Sequence, residues 1–154
     1  MINYIKENEQ KTIIFYNNKA SEYNRYEKII TNLLKTHFID YKLYKKIMAK
    51  KFRYYRNVPI YFSKSLMLFK IRDDYFNYYI NYNQLLSMSY NDKMVVAIFK
   101  NGEILCIDET KNDIRKYDNM CKTINNYINY LENDYYNWCV FITFIRFSFD
   151  KDAL

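Results

Sequence analysis

Few residues in this chain have the types and spacing that catalysis requires. Glu109 and Lys111 form an E-x-K triplet, which some nucleases place at the end of a strand, and Asp92 upstream is a conceivable metal ligand. Thr110 and Asp113 also fit a capping box, in which a hydroxyl caps free amides at a helix start and an acid lies three residues on. The cap explains this stretch more simply, so a metal-dependent nuclease is kept only as the less favoured alternative.

The remaining titratable residues do not combine into a catalytic or metal site. Asp73 and Asp74 are adjacent, and adjacent residues of a strand point to opposite faces. His37 is the only histidine, and the sequence suggests no Ser or Cys partner for it. The cysteines are widely separated and form no C-x-x-C pair: Cys106, Cys121 and Cys139. A single glycine cannot build a glycine-rich phosphate loop either. Taken together, these patterns predict a non-enzymatic protein without a cofactor, metal or small-molecule ligand.

The strongest chemical signal is a segment of positive charge from Tyr41 to Asn57. It contains no acidic residue and seven basic ones: Lys42, Lys45, Lys46, Lys50, Lys51, Arg53 and Arg56. The whole chain has 24 Lys and Arg residues against 17 Asp and Glu residues, so removing these seven leaves equal numbers of each sign. The formal charge of +7 therefore lies in one short segment, which predicts a polyanionic partner.

The spacing within this segment predicts a helix with one apolar and one basic face. Apolar residues recur at intervals of three and four: Tyr44, Ile47, Met48, Phe52 and Tyr55. The opposite side carries cations at intervals of one turn: Lys42, Lys46, Lys50 and Arg53. Pro59 disfavours a helical conformation at the preceding residue, so the helix is expected to end by Asn57 or Val58. We expect these seven cations to contact the phosphates of such a polyanion, and Tyr54 and Tyr55 among them would also suit single-stranded nucleic acid.

Length and composition predict a single domain spanning residues 1–154. The chain is 50% hydrophobic, which is too apolar for disorder, and it is long enough to bury a core. The first twenty residues contain no apolar core of signal-peptide type, and no window reaches the ~18 apolar residues of a membrane span. The longest apolar run, Trp138 to Phe149, is interrupted by Arg146 and predicts a final strand or an apolar dock. Together with the scattered cysteines, these observations predict a reduced, cytoplasmic protein without membrane contact.

Apolar runs and alternation predict an antiparallel sheet. Strands are expected in five segments: Lys11–Asn17, Thr36–Tyr41, Ile60–Ser63, Leu66–Phe69 and Phe76–Asn83. In the last segment the more polar face consists of Asn77, Tyr79, Asn81 and Asn83. Between two apolar runs, Asn101-Gly102 predicts a type I′ hairpin turn that sets Phe99 opposite Ile104. Both faces of this hairpin are largely apolar, which predicts a position in the middle of the sheet.

Two further amphipathic helices are expected. One runs from about Tyr23 to Lys35, with apolar residues at helical spacing: Tyr26, Ile29, Ile30, Leu33 and Leu34. The other starts at Thr110 and ends near Glu132, and its apolar stripe consists of Ile114, Tyr117, Cys121, Ile124, Ile128 and Leu131. The predicted fold class is therefore α+β, with an antiparallel β-sheet that has a central hairpin and is packed by amphipathic helices.

Several landmarks follow one another in a defined order along the chain. They are Val58-Pro59-Ile60, the run Leu66–Phe69, Tyr79-Ile80, Phe99-Lys100-Asn101-Gly102, and Thr110 with Ile114. In this order and spacing the chain resembles the ComK family of bacterial competence transcription factors. The similarity extends from about Ile29 to Leu131, and by this comparison the chain is a divergent, short member.

The resemblance implies a competence-type transcriptional activator that binds AT-rich double-stranded DNA through the minor groove. It also implies a homo-oligomer associated with the bacterial nucleoid. The minor groove presents a degenerate pattern of donors and acceptors, so a preference for A·T is the most that such readout gives. The alternative from a different class is a protein-interaction module, whose apolar tail docks on a partner and whose basic helix is only solvated.

Overall fold

A computed structural model describes residues 1–24 and 28–134. The strands in these ranges are β1 (Ile2–Glu7), β2 (Lys11–Tyr16), β3 (Lys19–Asn24), β4 (Ile60–Ser63), β5 (Leu66–Arg72), β6 (Asn77–Asn81), β7 (Leu85–Tyr90), β8 (Val95–Phe99) and β9 (Ile104–Ile107). The helices are α1 (Ile29–Thr36), α2 (Tyr41–Phe52) and α3 (Ile114–Asn133), with a 3-10 turn at Tyr82–Gln84. Tyr26 and the apolar run Trp138 to Phe149 lie outside the described residues.

The strands form two antiparallel sheets. The larger sheet has the order β3-β2-β1-β6-β5-β4 and the smaller one β7-β8-β9. Tyr4 stacks on Phe99 of the smaller sheet with ring centroids 5.7 Å apart, and Phe69 stacks on Tyr117 of α3 at 6.3 Å. Tyr4 and Phe69 both pair with Ile80 of β6, so they share one face of the larger sheet. The smaller sheet and α3 therefore cover the same face, and the predicted α+β class is confirmed.

The predicted strands are largely present. Four of the five segments are confirmed as β2, β4, β5 and β6. Along β4, Ile60 and Phe62 are buried while Tyr61 and Ser63 are half-buried, which is the alternation expected of a strand with one core face. β1, β3 and β7 have no counterpart among the predicted elements, because their apolar residues are interrupted by polar ones.

The β8–β9 hairpin is present, but its turn and register differ from the prediction. The Phe99 N–H donates to the Glu103 carbonyl (2.9 Å), and the Gly102 N–H donates to the Phe99 carbonyl (2.9 Å). Gly102 has φ 86°, while Asn101 is not among the residues with positive φ. This geometry is a type I turn followed by a left-handed residue, since a type I′ turn needs positive φ at both central residues. Phe99 therefore pairs with Glu103 and not with Ile104.

The hairpin also lies at a different position from the predicted one. β8 is the middle strand of the smaller sheet, whereas β9 is an edge strand. Ile104 is 60% exposed, because the one-residue difference in register turns its side chain to the outer face. The Asn101 side chain accepts a hydrogen bond from Asn3 (3.0 Å) and donates one to Asn18 (3.1 Å). The Asn-Gly turn thus ties the smaller sheet to β1 and to the β2–β3 turn.

α1 starts later than predicted and ends in a turn. The strand β3 occupies the first part of the predicted helix, so α1 begins only at Ile29. At its other end Phe38 has φ 55°, and the Ile39 N–H donates to the Leu34 carbonyl at 2.9 Å. This bond is typical of a Schellman motif, which the buried Ile39 side chain closes. The strand predicted at Thr36–Tyr41 is therefore wrong.

α3 carries the predicted apolar stripe, and all six of its residues are buried: Ile114, Tyr117, Cys121, Ile124, Ile128 and Leu131. The start of the helix differs from the prediction. Asp113 is the N-cap, and its carboxylate accepts a hydrogen bond from the Lys116 N–H at 3.2 Å. Thr110 is buried before the helix begins, and its N–H donates to the Lys93 carbonyl at 2.8 Å. The capping box predicted at Thr110 is therefore wrong.

A buried carboxylate joins α3 to the smaller sheet. Asp118 accepts hydrogen bonds from the Tyr82 hydroxyl (2.8 Å), the Tyr90 hydroxyl (3.3 Å) and the Lys122 ammonium (2.7 Å). Burial alone would raise the pKa of Asp118, but these three donors together outweigh it and hold the pKa below its ordinary value. The carboxylate is therefore ionised at neutral pH and fully hydrogen-bonded.

The Asp118 contact predicts a loss of stability in acid. The folded-state pKa lies below the unfolded value of about 3.9, so the ionised form stabilises the fold above that value. The contribution is lost as the pH falls through the lower, folded-state pKa. We expect Asp118→Asn to be less stable than the parent at neutral pH and to lose less stability between about pH 5 and pH 1. Urea unfolding across this range measures both effects, and an equally steep acid loss in the variant would contradict the assignment.

Candidate nucleic-acid interface

The predicted basic helix is α2, and an acidic residue fixes its start. The Asp40 side chain accepts hydrogen bonds from the backbone N–H groups of Lys42 (2.9 Å) and Leu43 (3.0 Å). It thereby satisfies two of the amides that a helix N-terminus leaves unpaired. Its negative charge also lies at the positive end of the helix dipole. α2 is therefore capped by the residue that immediately precedes the basic segment.

A buried tyrosine holds α2 against the edge of the larger sheet. The Tyr44 hydroxyl donates to the Pro59 carbonyl (2.7 Å) and accepts from the Tyr61 N–H (3.2 Å). Burial raises the pKa of the Tyr44 phenol, so the group remains neutral. Met48, one turn further along, is also fully buried. These two residues confirm the centre of the predicted apolar face, and they leave the opposite face of α2 in solvent.

α2 ends at Phe52, within the limit predicted from Pro59 but before Arg53 and Tyr55, which were predicted to lie on its two faces. Arg53 adopts a left-handed conformation with φ 59°, and its N–H donates to the Ala49 carbonyl at 2.9 Å. This is a helix cap that glycine usually provides. Phe52 packs edge-on against Tyr127 of α3, with ring centroids 5.3 Å apart. Because the left-handed residue turns the chain off the helical path, Tyr55 is 71% exposed and its predicted place on the apolar face is wrong.

All seven cations of the basic segment are exposed: Lys42, Lys45, Lys46, Lys50, Lys51, Arg53 and Arg56. The first five lie on α2, and the last two lie on the non-helical segment that follows it. The ion pairs found among the described residues involve other lysines: Lys11, Lys64, Lys111 and Lys122. Within the described ranges, therefore, no carboxylate neutralises the basic segment, and its positive potential is open to an anion.

Three of the lysines form a row along α2. Lys42, Lys46 and Lys50 are four residues apart, which is about 6 Å along the axis, so the row is about 12 Å long. At 100° per residue the three fall within about 80° of the helix circumference. Arg53, which is predicted to continue the row, leaves it because it caps the helix. The structure thus brings three of the four predicted cations onto one line.

The two other lysines of α2 each lie over an aromatic ring. The Lys45 ammonium lies 4.9 Å from the centroid of the Tyr41 ring. The Lys51 ammonium lies 4.9 Å from the centroid of the Tyr127 ring. A cation–π contact at an exposed site contributes about 0.5–1 kcal/mol and leaves the charge intact. The contact with Tyr41 follows from the four-residue spacing within α2, whereas the contact with Tyr127 depends on the tertiary position of α3, which the helical spacing of α2 does not reveal.

Of the three residues of the E-x-K alternative, Asp92 and Lys111 line one pocket, but Glu109 is not among its lining residues. The Lys111 ammonium forms an ion pair with Asp74 at 3.0 Å. Glu109 is exposed in a left-handed conformation with φ 53°, and Asp92 is exposed on another loop. In the part of the chain that the structure describes, no group of three or more His, Cys, Asp or Glu side chains could hold a metal ion.

The other residues singled out for chemistry have structural contacts. The Asp73 carboxylate accepts a hydrogen bond from the Tyr78 hydroxyl at 3.0 Å and closes the β5–β6 turn. The His37 ring lies edge-on to Phe62, with centroids 5.3 Å apart. Cys106 is exposed and Cys121 is buried, while Cys139 lies outside the described residues.

No protein-family model, curated protein or solved structure matches the chain. None of the helices in residues 1–24 and 28–134 is long and apolar enough to cross a membrane. Fold and surface together define the class as an α+β protein that exposes a row of cations on one helix.

Proposed function

We propose that the chain is a non-enzymatic transcriptional regulator that binds AT-rich double-stranded DNA through the minor groove. The observation that carries the DNA part is the row of Lys42, Lys46 and Lys50, which is exposed and has no acidic partner among the described residues. The preference for A·T, the competence-type activation, the homo-oligomer and the place at the bacterial nucleoid are implied by the resemblance to the ComK family.

The length of the lysine row suits contact with one DNA strand. Along the axis of B-DNA each strand carries one phosphate per about 3.4 Å, so a row of about 12 Å faces three or four successive phosphates. Lysine is a compact point charge with rotatable donors, which binds phosphate without the planar fork that arginine offers to bases. We therefore assign Lys42, Lys45, Lys46, Lys50 and Lys51 to the DNA backbone.

The segment after α2 suits the minor groove. A helix with its side chains is about 10–12 Å wide, whereas the minor groove is about 6 Å wide, so α2 itself does not enter. Arg53 and Arg56 are exposed on the non-helical segment beyond the helix end. Narrow A·T grooves have a strong negative potential that attracts inserted arginine side chains. We assign these two arginines to the groove.

A salt titration tests the DNA part of the proposal. Releasing counterions gives a log–log slope of about −0.9 per phosphate contacted, so the row of three lysines alone predicts a slope of about −2.7 or steeper. Fluorescence anisotropy of a short labelled AT-rich duplex measures the slope. A slope near zero, or no binding at low salt, would overturn the proposal and favour the protein-interaction module.

Base substitution in the same assay tests whether the protein binds through the minor groove. Guanine places a 2-amino donor in the minor groove, and inosine lacks it while keeping the guanine pattern in the major groove. We expect an inosine–cytosine duplex to bind like A·T and more tightly than G·C. Binding like G·C would instead indicate readout from the major groove. Tighter binding to a single strand would point to base stacking on Tyr54 and Tyr55.

A further inference from the structure

Four strands form the sheet edges in the described part of the chain, and three of them are protected. An unpaired edge is usually blunted by charge, by an irregularity or by cover from another element. β3 carries charged residues such as Glu22. The Tyr61 N–H of β4 is hydrogen-bonded by Tyr44, so α2 covers that edge. β7 has a register irregularity between Leu85 and Ser87, which breaks a regular ladder.

The fourth edge strand, β9, has none of these protections from residues 1–24 and 28–134. Its sequence is ILCI, and it pairs with β8 without any irregularity. The Phe99 N–H donates to the Glu103 carbonyl, and hydrogen-bonded pairs alternate along an antiparallel ladder, so the backbone groups of Leu105 also face β8. Those of Ile104 and Cys106 face outward, and no backbone partner for them is found among the described residues.

The outer face of the smaller sheet is apolar next to this edge. Val96 and Ile98 of β8 are half-buried there, beside the exposed Ile104 and Cys106 of β9. None of the three strands of this sheet contains a charged residue. An exposed edge with uncharged, β-branched side chains is a template for pairing with another strand.

We propose that β9 pairs antiparallel with β9 of a second copy about a two-fold axis at Leu105, which joins the two smaller sheets into one. Ile104 then lies opposite Cys106 of the partner subunit, and the outward N–H and C=O groups of these residues satisfy each other. A pairing register shifted by one residue, which corresponds to half a residue of axis movement, would turn the apolar inner face of one copy outward. A centre at Cys106 would require Asp108, which lies beyond the strand, to pair with Ile104 of the partner subunit.

A second copy fits this edge because the edge is complementary to itself. A two-fold interface uses the same residues on both sides, and here those residues carry no charge that would repel its own copy. Five of the seven cations lie on α2 beside β4 of the other sheet, and the other two lie on the segment that follows α2, so β9 is not part of the basic segment. Asp108 would face Gly102 of the partner subunit, which has no side chain to meet it.

Cysteine cross-linking tests the register, and Cys139→Ser serves as the background for every variant. Hydrogen-bonded antiparallel pairs have Cα atoms about 5.5 Å apart, within the range of a disulfide, so Ile104→Cys should form a covalent dimer with Cys106 of the partner subunit. The background protein should not cross-link, because the two Cys106 residues are diagonal neighbours at about 7–8 Å. Ser87→Cys is the matched control, because Ser87 pairs with Ile98, the partner of Ile104, and lies on β7 at the opposite edge of the smaller sheet. Cross-linking in all three proteins, or in none, would overturn the proposal.

Sedimentation of the free protein tests the association itself. Ile104→Lys places a charge in the dimer edge at two symmetry-related sites, and we expect the dimer Kd to rise about a hundredfold, tenfold for each site. Ser87→Lys should leave the Kd unchanged. A monomeric parent, or an Ile104→Lys variant that dimerises as tightly as the parent, would contradict the pairing. The inference deepens the homo-oligomer of the proposed function, but no DNA is needed, so its failure is distinguishable from a failure of DNA binding.

Discussion

Changing Lys42, Lys46 and Lys50 together to glutamine is expected to weaken binding to every duplex alike. Three phosphate contacts at about 0.9 each should make the salt slope shallower by about 2.7, which corresponds to an affinity loss of about a hundredfold at physiological salt. Phosphate contacts position the protein without reading bases, so the ratio of A·T to G·C affinity should not change. Anisotropy titrations at several salt concentrations measure the slope and the ratio together.

A matched control separates the lysine row from net charge. Lys19, Lys93 and Lys116 are exposed and form none of the ion pairs found among the described residues. Changing these three to glutamine lowers the net charge by the same amount as the change in the row. Exposed substitutions of this kind usually alter stability by no more than about 0.5 kcal/mol, so both variants should fold. Equal losses of affinity in the two variants would show that overall charge, and not α2, holds the DNA.

The faces of the helices could be predicted from the sequence because burial follows the helical period. The stripe of α3 is buried at every predicted position, and α2 buries Tyr44 and Met48 while its lysines face solvent. Such patterns need only the 3.6-residue repeat and the preference of apolar side chains for the core. The seven cations were therefore predicted to lie on the surface, and they are all exposed.

The ends of the helices could not be predicted in the same way. α1 and α2 are each followed, within two residues, by a residue in the left-handed conformation, Phe38 and Arg53, where glycine is usual. The sequence does not mark these two positions, because neither is glycine and the packing of the neighbouring Ile39 and Phe52 depends on tertiary contacts. Hence Arg53 and Tyr55 were placed on a helix that ends before them.

The position of the Asn-Gly turn was predicted, but its type depends on a tertiary contact. The Asn101 side chain is hydrogen-bonded to Asn3 of β1 in the larger sheet and to Asn18 in the β2–β3 turn. These contacts are consistent with a three-residue loop, in which only Gly102 needs positive φ. Local sequence favours the shorter type I′ loop, and the difference of one residue moves Ile104 from the core face to solvent. The exposed edge proposed as a dimer contact follows from that shift.

One polar residue shows how far alternation alone can mislead. Asn81 was predicted on the more polar face of β6, yet it is fully buried. Its amide nitrogen donates to the carbonyls of Ile2 and Ser65, both at 2.8 Å. Its oxygen accepts from the Met67 N–H at 3.1 Å. The side chain thus satisfies backbone groups of three different segments. The alternation of residues along β6 does not predict these hydrogen bonds.

Changing Asn81 to leucine should therefore destabilise the fold strongly. Leucine has a similar volume, but it leaves the Ile2 carbonyl and the Met67 N–H without this partner in the core, and each such loss costs about 1–3 kcal/mol. We expect a decrease of about 3 kcal/mol or more in the free energy of unfolding, measured by urea denaturation. Asn77→Leu is the control, because Asn77 is half-buried on the same face of β6 and its side chain makes no hydrogen bond in the described residues. It should change stability by less than about 1 kcal/mol. Similar losses in the two variants would mean that the strand tolerates apolar residues poorly at any position, and that the buried hydrogen bonds of Asn81 have no special role.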